Sequence, residues 1–65
     1  MQVTYDPKTD TLSVEFKTTR IVESDEEKPG IILDFDAQGD LVGIEILDAS
    51  RHVADVEKVQ FRRTE

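Results

Sequence analysis

Five polar residues in the middle of the chain have the types and the spacing of a calcium-binding loop. Asp34, Asp36, Gln38, Gly39 and Glu45 occupy the first, third, fifth, sixth and twelfth places of the loop that joins two helices in calcium-binding proteins. Carboxylates at this spacing can wrap a hard cation, and the glycine permits the sharp bend. The fifth place is usually Asp or Asn, however, and the flanking residues alternate as strands do. We therefore expect a turn with acidic residues around it.

The same segment contains two carboxylates that could lie side by side. Asp34 and Glu45 fall on opposite strands of a predicted hairpin, where they could share one face. Paired carboxylates can perform acid–base chemistry when their environments separate their pKa values. Like charges that face each other are otherwise destabilising. We expect both side chains to face water or to meet Arg51 or Lys58.

The remaining candidates for chemistry are isolated. His52 is the only histidine, and the usual zinc sites need three or four ligands. It could act as a general base, but the chain has no cysteine nucleophile and no Gly-x-Ser-x-Gly element. We expect His52 on the surface of a helix near Arg51. We therefore predict no catalytic, cofactor-binding or metal-binding residue and no cofactor.

The aromatic and basic side chains can also be explained by structural roles alone. Tyr5 and Phe61 could form an exposed aromatic contact, but we expect Tyr5 at the rim of the core. The basic group of Arg51, Arg62 and Arg63 is too short for a nucleic-acid footprint. We expect these arginines to pair with acidic residues of the same copy or of another copy.

The element that must position the carboxylates is a hairpin within Gly30–Ser50. Two apolar runs are joined by a turn over residues 36–39, whose sequence favours a type I turn followed by a glycine with positive φ. Alternation predicts one apolar face as the core, although a shift of register would exchange the faces. The predicted core residues are Ile31, Leu33, Phe35, Val42, Ile44 and Ile46.

The N-terminal segment predicts a second hairpin. Val3 and Tyr5 alternate with polar residues, residues 6–10 read as a turn, and Leu12 begins a half-buried strand that reaches Phe16. Residues 21–30 follow, and their acidic residues closed by Pro-Gly predict an exposed loop. The apolar pair at positions 21 and 22 could contribute to an edge strand.

Residues 52–65 form a tail of ambiguous pattern. We expect one or two helical turns from about Ala49, capped by Asp48 or Ser50, and then a strand over residues 59–62. The predicted class is α+β and mostly β. It consists of a compact antiparallel sheet of two hairpins with a short C-terminal helical element. Residues 1–65 are expected to form one small domain.

Length and charge exclude several classes of function. The chain has 65 residues, and a domain of that size buries only ~60% of its unfolded surface. It lacks cysteine, which excludes disulfides and thiolate metal sites. Fifteen acidic and eight basic residues give a net charge of −7, which argues against nucleic acids and anionic membranes as partners. No apolar stretch could span a membrane and no signal peptide is evident, so we expect a cytoplasmic protein.

Several short motifs resemble one known family. They are Tyr5-Asp6-Pro7 with Asp10 and Leu12, Pro29-Gly30-Ile31 with Leu33-Asp34, then Gly39, and the block Leu41–Ser50. Through these motifs the chain is similar to the YuzE-like group of small bacterial and archaeal domains of unknown function. The resemblance implies a compact antiparallel sheet with a small helical element. Some members sit beside genes for small ribonuclease-like toxins, which implies an antitoxin-like binding role, although this chain has no basic DNA-binding segment.

These features predict a non-catalytic protein–protein interaction or assembly module, with an antitoxin-like role as one form of it. The expected partner is a basic protein or a second copy, because exposed edge strands favour pairing or homodimerisation. One alternative is an enzyme or ligand-binding protein whose site is shared between subunits, since a chain this small rarely encloses a cavity of ~300 Å³. The other alternative is the calcium-binding hairpin.

Overall fold

The computed structural model describes residues 1–65, which form one five-stranded antiparallel sheet and one short helix. The strands lie in the spatial order β1-β2-β5-β4-β3. The predicted class is confirmed: the protein is mostly β, with an antiparallel sheet and a small C-terminal helical element. The elements are β1 Gln2–Asp6, β2 Thr11–Glu15, β3 Glu23–Lys28, β4 Ile31–Phe35, β5 Leu41–Ile46 and α1 Ala49–His52.

Both predicted hairpin turns are confirmed. In the turn between β1 and β2, the Asp6 carboxylate accepts the backbone N–H of Lys8 at 2.9 Å. In the turn between β4 and β5, the backbone N–H of Gly39 donates to the Asp36 carbonyl at 3.0 Å, and Gly39 has a φ of 83°. Glycine adopts this left-handed conformation without steric cost, which lets a type I turn close a hairpin.

The predicted loop over residues 21–30 is wrong, because most of it is a strand. β3 pairs antiparallel with β4 along its whole length, with an irregularity near its C-terminal end, and all six of its residues are exposed. Acidic residues are poor strand formers, but backbone pairing to a neighbouring strand overrides that preference. Charges are also tolerated here because β3 is an edge strand with one side open to water.

The connection from β2 to β3 crosses the ends of β5 and β4, since those two strands separate β2 from β3 in the sheet. Lys17 anchors this crossing, with its Nζ at 2.9 Å from carboxylate oxygens of both Asp36 and Asp40. The Thr19 hydroxyl lies 3.4 Å from a carboxylate oxygen of Asp36. Asp36 also accepts the backbone N–H groups of the turn, at residues 38 and 40. The hydrogen bond from Lys17, more than any other contact, lowers the pKa of Asp36.

The strand register divides the sheet into an apolar face and a polar face. The faces predicted for the central hairpin are confirmed, because Leu33 lies opposite Ile44 and Asp34 opposite Gly43. The predicted core is only partly formed: of its six residues Val42 is buried and the other five are half-buried, because no second layer covers them. The apolar face comprises Val3, Tyr5, Leu12, Val14, Phe16, Ile31, Leu33, Phe35, Val42, Ile44 and Ile46.

We predict that Gly43→Ala weakens the pairing of β2 with β5. A Cβ at position 43 would lie 2.5 Å from the Val14 carbonyl oxygen, so the two backbones must separate. Overpacking of this kind typically costs about 1–3 kcal/mol. Urea unfolding should show the loss, and amide hydrogen exchange should speed up across β2 and β5.

Gly39→Ala is the matched control for that variant. Apart from its neighbours in the chain, no residue comes within 4 Å of the added methyl group, but the positive φ is unfavourable for alanine. It should lower stability through the turn alone and leave exchange across β2 and β5 unchanged. Unaltered amide hydrogen exchange across β2 and β5 in Gly43→Ala would contradict the close approach of the two backbones at positions 14 and 43.

Candidate functional site

The polar face contains a pair of neighbouring carboxyl groups. Asp34 is 3% exposed, and the Ser24 hydroxyl donates to its carboxylate at 2.6 Å. Glu45 is diagonal to Asp34, since Asp34 lies opposite Gly43 and Glu45 lies opposite Ile32. A hydrogen bond between the two carboxyl groups raises the pKa of Glu45, and burial and the Asp34 charge act in the same direction. The neighbouring Asp34 therefore favours the protonated form of Glu45.

This arrangement corrects one expectation from the sequence. Asp34 and Glu45 share a face, as predicted, but Asp34 neither faces water nor meets Arg51 or Lys58. The ion pairs of the structure instead join Lys17 to the acidic residues of the β4–β5 turn. Local sequence gave no signal for the Ser24 contact, because Ser24 lies in the segment that was predicted to be a loop.

An open groove of about 290 Å³ runs over Gly43 beside the carboxyl pair. Glycine at this position removes the side chain that would fill the groove. No lysine, arginine, histidine or cysteine lines it, so the groove offers acceptors and hydroxyl groups but no strong nucleophile and no cation. The residues whose side chains border it on the polar face are Gln2, Ser13, Glu15, Ile21, Asp34 and Glu45.

The residues with calcium-loop spacing are not brought around one point. Asp36 binds Lys17 and the backbone of its own turn. Asp34 and Glu45 project from strands on the polar face, and Gly39 serves the turn. No group of three or more potential metal-ligating side chains is formed among residues 1–65.

A second carboxylate centre was missed by sequence analysis. The Asp10 carboxylate accepts the Ser50 hydroxyl at 2.6 Å, the Ser50 backbone N–H at 3.1 Å and the Tyr5 hydroxyl at 2.7 Å. It therefore joins the first turn, β1 and α1. The bond from Ser50 is the largest of the causes that lower the pKa of Asp10, whereas the bond to Asp10 raises the pKa of Tyr5 to about 12.

This centre replaces the helix cap predicted from the sequence. The helical turn from Ala49 is confirmed, but Asp48 has a φ of 50° and makes no side-chain cap bond. Asp10, forty residues away, accepts the free N–H of Ser50 instead. The N–H of Ala49 donates to the Asp10 carbonyl at 2.8 Å, and Ala49 is completely buried. Contacts this distant in sequence leave no local pattern.

The tail departs from its predicted structure. No strand forms at residues 59–62, and no backbone hydrogen bond involves residues 59–65. Val56 and Val59 line a crevice with Val3 and Tyr5, so the tail lies beside β1 on the apolar face. Phe61 is 83% exposed and does not contribute to the rim of the core, whereas Tyr5 is half-buried there as predicted.

Away from the tail no second layer covers the apolar face. Only 6 of 65 residues are buried and no large side chain is fully buried, so the sheet is a single layer. Apolar patches of this kind mark interaction surfaces. The basic residues Arg51, Arg62 and Arg63 are exposed and form no ion pair within the chain. His52 is exposed on α1, as predicted.

Comparison with known proteins gives a family without an assigned activity. A family model described as a protein of unknown function (DUF2283) matches residues 2–50. No curated protein and no solved structure matches the chain. α1 has four residues, and the structure contains no helix able to cross a membrane.

The single tyrosine reports directly on the Asp10 centre. We predict that ultraviolet titration of the native protein gives an ionisation midpoint near 12, because the carboxylate stabilises the protonated hydroxyl. In Asp10→Asn the midpoint should move toward 10.0, the ordinary value. Ser50→Ala keeps the Tyr5 bond and should leave the midpoint nearly unchanged. Equal midpoints in wild type and Asp10→Asn would contradict this role of Asp10.

The carboxyl pair should make stability depend on pH. Because the folded-state pKa of Glu45 is raised above 4.5, its favourable contribution is complete below the unfolded value and is lost as pH rises through the folded value. Glu45→Gln should therefore stabilise the protein at neutral pH by about 0.2–1 kcal/mol, a typical cross-strand effect. The gain should vanish in acid. Glu65→Gln removes one charge at the exposed terminus, and an equal gain from it would contradict a local origin.

Proposed function

Because this chain belongs to the DUF2283 family, whose function is unknown, we propose its role from its surfaces: it is a non-catalytic assembly module whose apolar face packs against that of a second copy. One observation carries this proposal, namely the five-stranded sheet with an apolar face that has no second layer. The more specific resemblance to the YuzE-like group supports the same kind of role and remains part of the proposal.

A sheet with one apolar face requires a covering layer. Stable domains bury such a face against helices or another sheet. In this protein α1 has only four residues and lies at the end of β5, so it covers little of the sheet. Leu33, Ile44 and Ile46 remain half-exposed in the middle of the face. A layer from another chain would remove this apolar surface from water, which is favourable by about 25 cal/mol per Å².

A second copy is the occupant that the geometry favours. Identical apolar faces are complementary under a two-fold rotation, and paired sheets pack about 10 Å apart. Five strands of about five residues give a face of about 17 by 24 Å, or roughly 400 Å² per copy. Stable interfaces bury about 800 Å² per partner. The flat face thus supplies about half of that buried area. The side chains that project from it and the tail must supply the remainder.

The polar face supports a non-catalytic role. Its buried carboxylate is bonded to Ser24, and the groove over Gly43 contains no strong nucleophile. The pairing of β4 with β5 brings the two carboxyl groups together, so their proximity does not require a substrate. An antitoxin-like role would instead place a basic partner on the apolar face. That role requires a partner that the purified chain lacks, whereas self-assembly requires none.

We predict a dimer for the purified wild-type protein by multi-angle light scattering. Leu33→Lys should shift it to monomer, because the new charge would be buried between the two sheets. Ile32→Lys is the matched control: it makes the same kind of change at a half-buried neighbour on the polar face and should leave the dimer intact.

Circular dichroism must show native strand content in both variants. If Leu33→Lys does not fold, the milder Leu33→Thr takes its place and should weaken the dimer by several-fold. A wild-type protein that stays monomeric at its highest accessible concentration would overturn self-assembly, as would equal effects at positions 32 and 33.

A further inference from the structure

We infer that Val59–Arg63 of one copy pairs as an extra strand with the free edge of β3 in a second copy. This inference rests on the face-to-face dimer proposed above and names the contact that orients it. Two independent features carry it: a strand-like tail that has no backbone partner, and an acidic edge strand that has one open side.

The tail has the pattern of a strand without its pairing. Val59 and Phe61 alternate with Gln60 and Arg62, which is the period of two that strands require. Yet Val59 is 68% exposed, Phe61 is 83% exposed, and the segment makes no backbone hydrogen bond. Large apolar side chains displayed in this way favour a partner strand and a covering surface.

β3 supplies an edge of the opposite charge. Its six residues include four carboxylates and one lysine, for a net charge of −3, and all are exposed. Glu23 lies opposite Phe35 and Asp25 opposite Leu33, so both acids border the apolar face. The tail carries Arg62 and its neighbour Arg63, which are free of ion pairs within the chain. Edge-strand addition with complementary charges is an established mode of peptide recognition.

Geometry requires the pairing to join two copies. β1 and β3 are separated by four strand intervals, or about 19 Å. Val56 and Val59 both lie beside β1, in the crevice that they share with Val3 and Tyr5. Its own β3 is therefore out of reach for the start of the segment. A second sheet stacked about 10 Å away is within reach.

Charge selects one of the two possible rotation axes. An axis parallel to the strands places β1 of each copy, with its tail, over β3 of the other. An axis perpendicular to the strands places β3 over β3 and opposes Glu23 and Asp25 to the same two acids of the other copy. Like charges across an interface are strongly unfavourable, so the first arrangement is selected.

The alternation of the tail also fixes its orientation. If Val59 and Phe61 point toward the apolar side of the partner sheet, Arg63 points there too. It then approaches the two acids that border the apolar face, Glu23 and Asp25. Gln60 and Arg62 point to the polar side. The added strand enlarges the interface that the flat faces alone leave incomplete.

Disulfide trapping tests the inference cleanly, because the chain contains no cysteine. Asp25→Cys is combined in turn with Val59→Cys, Phe61→Cys and Arg63→Cys, the residues expected on the same side. At least one pair should give a covalent dimer under mild oxidation. Matched controls combine Asp25→Cys with Gln60→Cys or Arg62→Cys, whose side chains should point away, and these should cross-link at least several-fold less.

Charge exchange gives the second arm of the test. Arg62→Glu with Arg63→Glu should weaken the dimer at least several-fold, and Glu23→Arg with Asp25→Arg should do the same. Mixing the two variants should restore dimers, because in the mixed dimer each tail meets an edge of opposite charge.

The outcomes separate the two proposals. A monomeric wild-type protein overturns the assembly role itself. A dimer that is lost in Leu33→Lys supports the assembly role. If the test and control cysteine pairs then cross-link equally, or if charge exchange has no effect on the dimer, only the tail contact is overturned. Cross-links that form within a single chain would also overturn it.

Discussion

The structure depends on one constraint, which is that a single sheet has two faces and this chain covers neither with a second layer. The side chains that alternate along the strands make one face apolar and the other polar. The short helix and the tail touch only the end of the sheet and the margin beside β1. A small number of buried residues follows directly from this shape. The apolar face is therefore both the weak point of the isolated chain and its best candidate for function.

Carboxylates take over part of the structural role that a larger core would have. Asp36 holds the crossing connection through Lys17, Asp10 holds the helix through Ser50, and Asp34 joins β3 to β4 through Ser24. Ionised carboxylates are acceptors only, so each can bind several N–H and O–H donors that converge on it. An excess of acidic residues thus has an internal use as well as a surface one. The exception is Glu45, whose pKa is raised by its hydrogen bonding to Asp34, by burial and by the Asp34 charge.

Local patterns predicted the parts of the fold that local physics determines. The hairpin turn at Gly39, the alternation of both hairpins and the faces of the central strands all depend on residues close in sequence, and all are confirmed. Three expectations failed because contacts between distant residues determine the outcome: the loop over residues 21–30, the cap of α1 and the exposure of the carboxyl pair. β3 is a strand because β4 offers it a backbone partner, and α1 is capped by Asp10 from the far end of the chain. The carboxyl pair was placed on the correct face, but its burial required the unpredicted β3.

The acidic composition of β3 follows from its position at the edge. An edge strand with free backbone groups invites any passing strand, and charged side chains are the usual protection against such aggregation. Four carboxylates repel a second β3 edge and most strands of an acidic protein. They leave the edge accessible to a segment that brings positive charge, and Arg62 and Arg63 supply such a charge near the end of the tail. Under the pairing proposed above, the poor strand propensity of β3 and the arginine pair of the tail have a single explanation: the edge is protected against general pairing and kept open for one specific partner.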